Sequence, residues 1–278
     1  MPEAIAFILH TRRREAEAEA GFMENRLSAQ GIHVFYPQRG EQYRECGMVI
    51  TFGGDGTLLE GASLAMKYHC PLLGINLGTV GFLTEGDPEE REEIIQAILQ
   101  GQYQLEKREL LQIQVHGQPG KYLALNDAVI TRGGYARLIQ VETRVDHELW
   151  GTFTADGVIA ATPTGSTGYS LSAGGPVIAP GVSCVVVTPV CAHSMQHCPC
   201  IVPADSEITF HLKSDREQQA QLQIDGRSLS TLRSGDTVIV TNTEETIQLV
   251  RLRKYRFFSL LRTKLNEWGS SDEPAVRS

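Results

Sequence analysis

The stretch that decides the fold is VITFGGDGTLLEGASLAM, residues 49–66. An apolar run of strand length leads into three glycines around one carboxylate, Asp55, and a helix-forming segment follows. Glycine-rich turns between a strand and a helix bind phosphates through backbone N–H groups. An aspartate in such a turn would repel the phosphate. The pattern therefore indicates that Asp55 has a chemical role next to the bound phosphate.

The segments around this stretch alternate between strand-like and helix-like runs over the first hundred residues. Apolar runs such as AIAFILH (4–10) and PLLGINL (71–77) are separated by helix formers, and one predicted helix has Asp87 as its N-cap and Pro88 at its first position. This alternation predicts a doubly wound, Rossmann-like α/β domain with a parallel sheet.

After about residue 103 the pattern changes to β-branched runs divided by Gly, Asp, Asn and Pro, which predicts an all-β domain over residues 104–257. A helix returns near the end, where Phe258, Leu261, Leu265 and Trp268 form one apolar stripe. We expect this C-terminal helix to pack on the N-terminal domain, which then comprises residues 1–103 and 258–278.

The composition excludes several classes of partner. The chain has 278 residues, 41% of them hydrophobic and 21% charged, as in soluble globular proteins, and no apolar run reaches the roughly 18 residues of a membrane span. The N-terminal charges follow the apolar stretch, which is the wrong order for a signal peptide, and the six cysteines are sparse. We therefore expect a cytoplasmic protein with reduced thiols and no membrane partner. A net charge of −8 argues against a nucleic-acid partner.

The turn GGDGT lacks both the Rossmann pattern G-x-G-x-x-G and the lysine of a Walker A motif. A carboxylate beside phosphates can accept the proton of an attacking hydroxyl, or it can share Mg²⁺ with phosphate oxygens. Both roles predict phosphoryl transfer. The alternative is a tight turn in which Asp55 is only the N-cap of the helix.

A second motif is TADGVIAATPTGSTGYSLSAGGP, residues 154–176. Its dense hydroxyls among glycines favour a polar ligand with phosphates and ribose hydroxyls, and Tyr169 is placed to stack on a base. The hydroxyl residues are Thr162, Thr164, Ser166, Thr167 and Ser170. The alternative is a turn-forming loop that binds no ligand.

These two motifs, taken with three shorter ones, resemble the NAD kinase family over nearly the whole chain. The shorter matches are GINLGTVGFLTE (74–85), ALNDAVITRG (124–133) and QIDGR (223–227), and KYRFFSLLRTKLNEW (254–268) resembles the family's returning C-terminal helix. GGDGT alone also occurs in lipid kinases and, more loosely, in phosphofructokinases. The long second motif is the specific part of the resemblance.

The resemblance implies phosphorylation of NAD on the 2′-hydroxyl of its adenosine ribose to give NADP, at a site between the two domains. ATP or polyphosphate would be the donor, with a divalent cation such as Mg²⁺, and family members are homodimers or homotetramers. Asp55 would be the catalytic proton acceptor, and Gly53, Gly54 and Thr57 would contact the donor phosphates. The substrate-binding candidates are Gly56, Asn76, Phe82, Asn126, Asp127, Arg137, Asp156, Thr167, Gly168, Tyr169, Ser170, Ser172 and Arg227.

Within that set the resemblance assigns Asn126 and Asp127 to the ribose or adenine, and Asp156 to the nicotinamide end. The turn from Thr167 to Ser172 would line the adenine side.

Four positions depart from the family pattern. Gly168 stands where Ala is common, Asp127 where the motif has Glu, Thr79 where Arg is frequent, and Cys198 where the family has Arg. Cys198 belongs to CAHSMQHCPC (191–200), whose spacing does not fit a structural zinc site, so we expect no protein-bound metal there.

Three consecutive arginines, Arg12, Arg13 and Arg14, follow the first strand. They are placed either to reach the donor phosphates or to form a solvated helix start.

Two rival functions remain at this point. A lipid or small-alcohol kinase would share GGDGT but lack the long second motif. A non-catalytic dinucleotide sensor would bind NAD(P) without turnover, and the presence of Asp55 argues against it.

Overall fold

The computed structural model describes residues 2–43, 45–78, 81–134, 137–193, 198–213, 219–254 and 257–270. They form two compact units, one made of the chain up to Lys107 together with the chain from Gln248 onward, and the other of Arg108–Ile247. We refer to them as unit 1 and unit 2. No helix in the described ranges combines the length and the apolar character that crossing a membrane requires.

Unit 1 begins with alternating strands and helices: β1 (Ala4–Leu9), α1 (Arg14–Ser28), β2 (His33–Phe35), β3 (Met48–Gly53), α2 (Asp55–Tyr68), β4 (Leu72–Asn76) and α3 (Arg91–Gln100). The strands pair in parallel in the order β2-β1-β3-β4, which confirms the predicted α/β fold. Every residue of β1, β3 and β4 is buried, as expected for a parallel sheet covered on both faces.

Unit 2 is built from strands β5 (Gln104–Val115), β6 (Tyr122–Ala124), β7 (Asp127–Thr131), β8 (Ile139–Val145), β9 (Glu148–Ala155), β10 (Gly157–Ala161), then the short helix α4 (Tyr169–Ser172), and strands β11 (Cys184–Val190), β12 (Cys200–Pro203), β13 (Ile208–Leu212), β14 (Gln219–Ile224), β15 (Arg227–Arg233) and β16 (Thr237–Arg251). One sheet has the order β12-β11-β10-β7-β14-β15, and β16, β13, β8 and β9 are neighbours in another. Side chains from both sheets, such as Phe153, Phe210, Val158 and Leu222, share one core, so the predicted all-β domain is confirmed.

The chain passes between the units inside two strands, β5 and β16, rather than in loops. The sequence placed the boundaries at residues 103/104 and 257/258, whereas the units divide after Lys107 and after Ile247. No turn signal marks either position, because the strand pattern continues across it.

The C-terminal helix α5 (Phe257–Ser270) belongs to unit 1, as predicted, but a different face of it is buried. Phe258 is 73% exposed and Leu265 is 48% exposed, so the stripe predicted from their spacing does not face the core. Phe257 is buried instead, with its ring 6.2 Å from that of Phe82, and Lys264 is buried on the same side. The side chain of Trp268 lies outside the described part of the helix.

Arg251, at the end of β16, is a buried cation in unit 1. Its guanidinium contacts the carboxylate of Glu106 at 2.6 Å and that of Glu85 at 3.0 Å, and it also donates to the carbonyl of Leu83 at 3.2 Å. Because a buried charge needs compensation, this pairing ties the end of the chain to the loop that follows β4.

Candidate active site

The carboxylate of Asp55 binds a backbone loop of unit 1. Gly54 is the N-cap of α2 and Asp55 is its first residue, so the alternative in which Asp55 caps the helix is wrong. Its Oδ2 accepts the N–H of Phe82 at 2.8 Å, and its Oδ1 accepts those of Leu83 at 3.0 Å and Thr84 at 3.3 Å. A carboxylate offers about four acceptor positions, so one remains on Oδ2.

The glycines around Asp55 have two different roles. A Cβ at Gly81 would lie 2.1 Å from Oδ1 of Asp55, and one at Gly53 would lie 2.2 Å from Oγ1 of Thr57, so both positions exclude a side chain. At Gly54 and Gly56 a Cβ would meet nothing within 4 Å. The first pair lets Asp55 and Thr57 pack, while Gly54 and Gly56 border open space where a phosphate can approach the backbone.

Asn76 and Phe82, both predicted to bind substrate, have buried side chains. Asn76 ends β4, and its amide nitrogen donates to the carbonyl of Gly78 at 2.9 Å and to Oδ1 of Asp87 at 3.2 Å. Asp87 is the N-cap residue of the 3₁₀ turn Pro88–Glu90 that leads into α3, as predicted, but its side chain forms no cap hydrogen bond. Phe82 contributes its N–H to Asp55, and its ring packs on Phe257, which is a structural contact.

In unit 2, Asp225 binds the segment that carries Asn126 and Asp127. Its carboxylate accepts the N–H groups of Leu125 at 2.9 Å, Asn126 at 2.7 Å and Asp127 at 3.1 Å. Asp225 and Gly226 form the two-residue turn between β14 and β15, with φ of 49° and 77°, the signs of a type I′ hairpin turn. Sequence reasoning missed this role, although QIDGR marks the turn.

Asp127 is buried next to this set of three hydrogen bonds, which we call the Asp225 clamp. Burial first, and then the charge of Asp225, raise the pKa of Asp127 to about 7. The pKa of Asp225 is also raised by burial, against the lowering effect of its three N–H partners. Asp127 therefore exchanges a proton near neutral pH, which an exposed aspartate does not.

This shift gives the unfolding free energy a defined pH dependence. An unfolded aspartate has a pKa of about 3.9, so between about pH 4 and 7 the folded protein binds more protons at Asp127 than the unfolded chain. Stability is then expected to fall as the pH rises through this window and to level off above it.

Asp127→Asn should flatten this slope, and Asp205→Asn, a change at an exposed aspartate, should keep it. Urea unfolding between pH 4 and 8 measures both. If the unfolding free energy changed equally with pH in the wild type and in Asp127→Asn, Asp127 would not be the cause of the pH dependence.

The second motif is tied to Asn126 by backbone contacts. The carbonyl of Asn126 accepts the N–H of Thr162 at 2.9 Å, and a Cβ on Gly165 would lie 2.1 Å from that same oxygen. The hydroxyl of Thr162 donates to the carbonyl of Leu125 at 2.6 Å and accepts the N–H of Gly165 at 3.1 Å. These contacts join the segment that carries Asn126 and Asp127 to the turn that follows β10.

Most hydroxyls of this motif hold the turn itself, and the ligand contact expected of Ser170 stays a prediction. Ser170 is fully buried and its Oγ lies 2.8 Å from Oγ1 of Thr188, while Ser166 bonds to Pro163 and Ile178. Thr162 and Thr164 are buried as well. The residues between 167 and 172 that reach the surface are Thr167, Gly168, Tyr169, Leu171 and Ser172.

The hydroxyl of Tyr169 experiences the charges of an aspartate from each of the two motifs. Burial, followed by the charges of Cys191, Asp156 and Asp127, raises the pKa of its hydroxyl. Asp156 is held by Arg132, whose Nε lies 2.5 Å from its Oδ1, a partner that the sequence analysis did not single out. The hydroxyl of Tyr169 is therefore within electrostatic range of Asp127 and Asp156.

The remaining predicted residues are exposed or lie outside the described ranges. Arg137 and Arg227 are exposed in unit 2. Thr79 lies outside the described residues, and so does His197 with the rest of 194–197. Cys191 and Cys198, on either side of that segment, are exposed.

Two family models match the chain, the ATP-NAD kinase N-terminal domain over residues 8–103 and the ATP-NAD kinase C-terminal domain over residues 125–252. An NAD kinase of Geotalea daltonii is 40% identical over 235 residues, which cover 84% of this chain and 82% of the relative. The chain belongs to the NAD kinase family. An NAD kinase of Syntrophotalea carbinolica is 41% identical over 260 residues, covering 87% of this chain and 90% of the relative.

Two solved NAD kinase-like structures share the fold. A crystal structure of yeast NADH kinase complexed with NADH has a TM-score of 0.86 at 23% identity, covering 99% of this chain and 90% of that one. A crystal structure of an Archaeoglobus fulgidus NAD kinase in complex with ATP has a TM-score of 0.73 at 24% identity, covering 95% and 98%. The architecture described above is therefore that of an NAD kinase.

Proposed function

We propose that this chain is an NAD kinase that transfers a phosphoryl group to the 2′-hydroxyl of the adenosine ribose of NAD, with Asp55 as the proton acceptor. Family membership supports the conversion of NAD to NADP. The observation that carries the mechanism is the geometry of Asp55, whose carboxylate is oriented by three N–H groups and keeps one acceptor position.

The roles of the residues follow from this geometry. Three fixed N–H groups hold the carboxylate before substrate arrives, so no reorientation is required when the hydroxyl binds. The hydroxyl proton moves to the remaining position on Oδ2 as the ribose oxygen attacks the terminal phosphorus of the donor. Gly54 and Gly56 border open space beside this carboxylate, where donor phosphates can approach backbone N–H groups.

In unit 2 we assign NAD binding to the turn that Asp225 and Gly165 fix. Asn126 and Asp127 are proposed to bind the adenosine ribose, and the exposed ring of Tyr169 is proposed to stack on the adenine. Thr167, Gly168 and Ser172 at the surface of the turn, and the exposed Arg137 and Arg227, are proposed contacts of the same ligand.

A divalent cation is proposed to bind together with the donor phosphates. The described residues hold no group of three or more His, Cys, Asp or Glu that would form a metal site. Mg²⁺ is commonly bound by substrate phosphates with few protein ligands, and because the remaining acceptor position of Asp55 takes the ribose proton, the donor phosphates are proposed to hold the cation. The cation would neutralise charge on the donor phosphates.

ATP and inorganic polyphosphate are both proposed donors, and the assembly is proposed to be a homodimer or homotetramer. Nucleic acid and membranes are not proposed as partners, because the net charge is −8 and the sequence has no long apolar run. The cytoplasmic location stays a prediction from the sequence.

The position of the transferred phosphate provides the test. NAD that lacks the 2′-hydroxyl on its adenosine ribose is expected to bind and inhibit without accepting phosphate, because the group that Asp55 deprotonates is missing. NAD that lacks the 2′-hydroxyl on its nicotinamide ribose should still be phosphorylated, and mass spectrometry distinguishes the products. Phosphate on the first analogue, or on the nicotinamide ribose of NAD itself, would overturn the assignment. If the protein bound NAD but formed no NADP with either donor, the alternative function of a non-catalytic dinucleotide sensor would be favoured.

A further inference from the structure

A strongly cationic cleft lies in unit 1, with a volume of about 360 Å³. It is lined by residues at the end of β1, at the start of α1 and in the 3₁₀ turn Pro37–Arg39. Its lining includes Arg12, Arg13, Arg14 and Arg39, with Glu17 as the one carboxylate among the described lining residues. We call it the arginine cleft. Because the chain as a whole carries a net charge of −8, the cleft is a local reversal of charge that attracts anions.

Three of these guanidinium groups are available to a ligand. Within the described ranges, Arg12, Arg14 and Arg39 form no ion pair with the protein's own carboxylates. Arg39 lies over the ring of Tyr36 at 4.2 Å from its centroid, an arrangement that leaves its N–H edges open. Guanidinium edges bind phosphate oxygens in bidentate pairs.

The wall of the cleft is held by hydrogen bonds to the sheet. The side-chain amide of Gln38 accepts the N–H of Leu9 at 2.8 Å and donates to the carbonyl of Leu9 at 3.0 Å. The turn that carries Arg39 is therefore fixed to the end of β1. A site that is formed before the ligand arrives loses less conformational entropy on binding.

The cleft adjoins the glycine turn that presents Asp55. His10, in the cleft, donates its N–H to the carbonyl of Phe52 at 3.0 Å, one residue before Gly53. On the other side, Arg13 donates to the carbonyl of Leu77, whose own N–H bonds to the carbonyl of Gly53 at 3.1 Å. Both contacts lie at the carboxyl ends of parallel strands, the edge where such sheets bind ligands.

We propose that the arginine cleft binds the phosphate chain of the donor, a linear run of three or more phosphates from a nucleoside triphosphate or from inorganic polyphosphate. This rests on the proposed function, since the bound donor is the one that phosphorylates NAD. In the transfer, the bond from the terminal phosphorus to its bridging oxygen breaks and a bond to the ribose oxygen forms. The proton passes to Asp55, and the donor leaves one phosphate shorter. The arginines bind and orient the chain but take no part in the bond changes.

The test compares Arg12→Gln/Arg14→Gln with Arg262→Gln, which removes an exposed arginine of the same unit on α5. Steady-state kinetics with ATP and with polyphosphate give the donor KM, the NAD KM and kcat, and calorimetry gives the Kd of inorganic tripolyphosphate without NAD. The double variant is expected to raise the KM of at least one donor and the tripolyphosphate Kd by about tenfold or more, the scale of losing one charge-assisted hydrogen bond. The NAD KM and kcat should stay within about twofold, and Arg262→Gln should change nothing.

Glu17→Gln supplies a change of opposite sign. Removing this carboxylate should lower the tripolyphosphate Kd, because it faces the same anion as the arginines. A KM change confined to ATP identifies the nucleotide as the source of the chain, and one confined to polyphosphate identifies the inorganic polymer. Unchanged tripolyphosphate binding, or weaker binding with neither donor KM altered, would overturn the proposal. A protein that makes no NADP contradicts the proposed function instead, and calorimetry still tests the cleft.

Discussion

Asp55→Asn is expected to lower kcat by about 10²–10⁴-fold, the usual loss when a general base is removed. The asparagine keeps the size of the side chain but replaces one carboxylate oxygen by an NH₂ group. That group cannot accept the ribose proton, and it also cannot accept the N–H groups that now bind this carboxylate. The Kd of NAD should stay within a few fold. Coupled assay of NADP formation and direct NAD binding measure the two quantities.

Because Asp55 also anchors the loop at 82–84, a loss of activity must be separated from a loss of structure. Asp236→Asn is the matched control: this aspartate also accepts a backbone N–H, that of Arg233 at 2.8 Å, in a turn of unit 2. The amide oxygen of the asparagine still accepts this single N–H, so the variant tests the Asp-to-Asn exchange alone and should keep its kcat. If Asp55→Asn turned over at a near-normal rate, the carboxylate would be only an anchor for the loop.

Gly165→Ala is expected to have the second large effect, on the binding of NAD. The added methyl group would lie 2.1 Å from the carbonyl oxygen of Asn126, and because that atom is backbone it cannot swing aside. Overpacking of this kind costs about 1–3 kcal/mol of unfolding free energy, and the displaced segment carries Asn126 and Asp127. We expect the KM for NAD to rise more than about tenfold, a size set by loss of about one good contact.

Gly168→Ala is the control in the same turn. Its nearest neighbour would be the carbonyl of Gly165 at 3.3 Å, so a small adjustment accommodates the methyl group. Gly165→Ala should therefore have a lower unfolding temperature and a higher KM for NAD than Gly168→Ala, as thermal unfolding and NAD kinetics measure. Equal behaviour of the two alanine variants would mean that the approach of Gly165 to Asn126 does not matter for binding.

The fold class and the identity of the motifs were predictable from local patterns. The strand–glycine–helix sequence around Asp55 predicts a parallel sheet because strands, tight turns and helices each have a short-range signature. The burial of α5 was not predictable in the same way. Phe258 and Leu265 satisfy the helical period as well as Phe257 and Lys264 do, and the face that is buried depends on a tertiary contact, that of the Phe257 ring with the Phe82 ring.

In the candidate site, too, local features were predictable from the sequence and long-range contacts were not. Asp55 is visible in sequence because its neighbours are glycines, but its bonds to the loop at 82–84 join residues 27 to 29 positions apart. The clamp by Asp225 joins residues 98 to 100 positions apart, and no periodic pattern records such a contact. The buried hydroxyl of Ser170 was assigned to a ligand because composition does not distinguish a hydroxyl that binds substrate from one that braces a turn.

The pairing of Arg251 with Glu85 and Glu106 has a consequence for how the protein forms during synthesis. Unit 2 is one continuous stretch and is complete once the ribosome has passed Ile247, whereas unit 1 still lacks its last strand segment and α5 at that moment. Until Arg251 has been synthesised, Glu85 and Glu106 lack the cation with which they pair in the folded protein. The N-terminal unit is thus begun first and finished last. A nascent chain that is released before this arginine has been added leaves unit 1 incomplete and open to proteases.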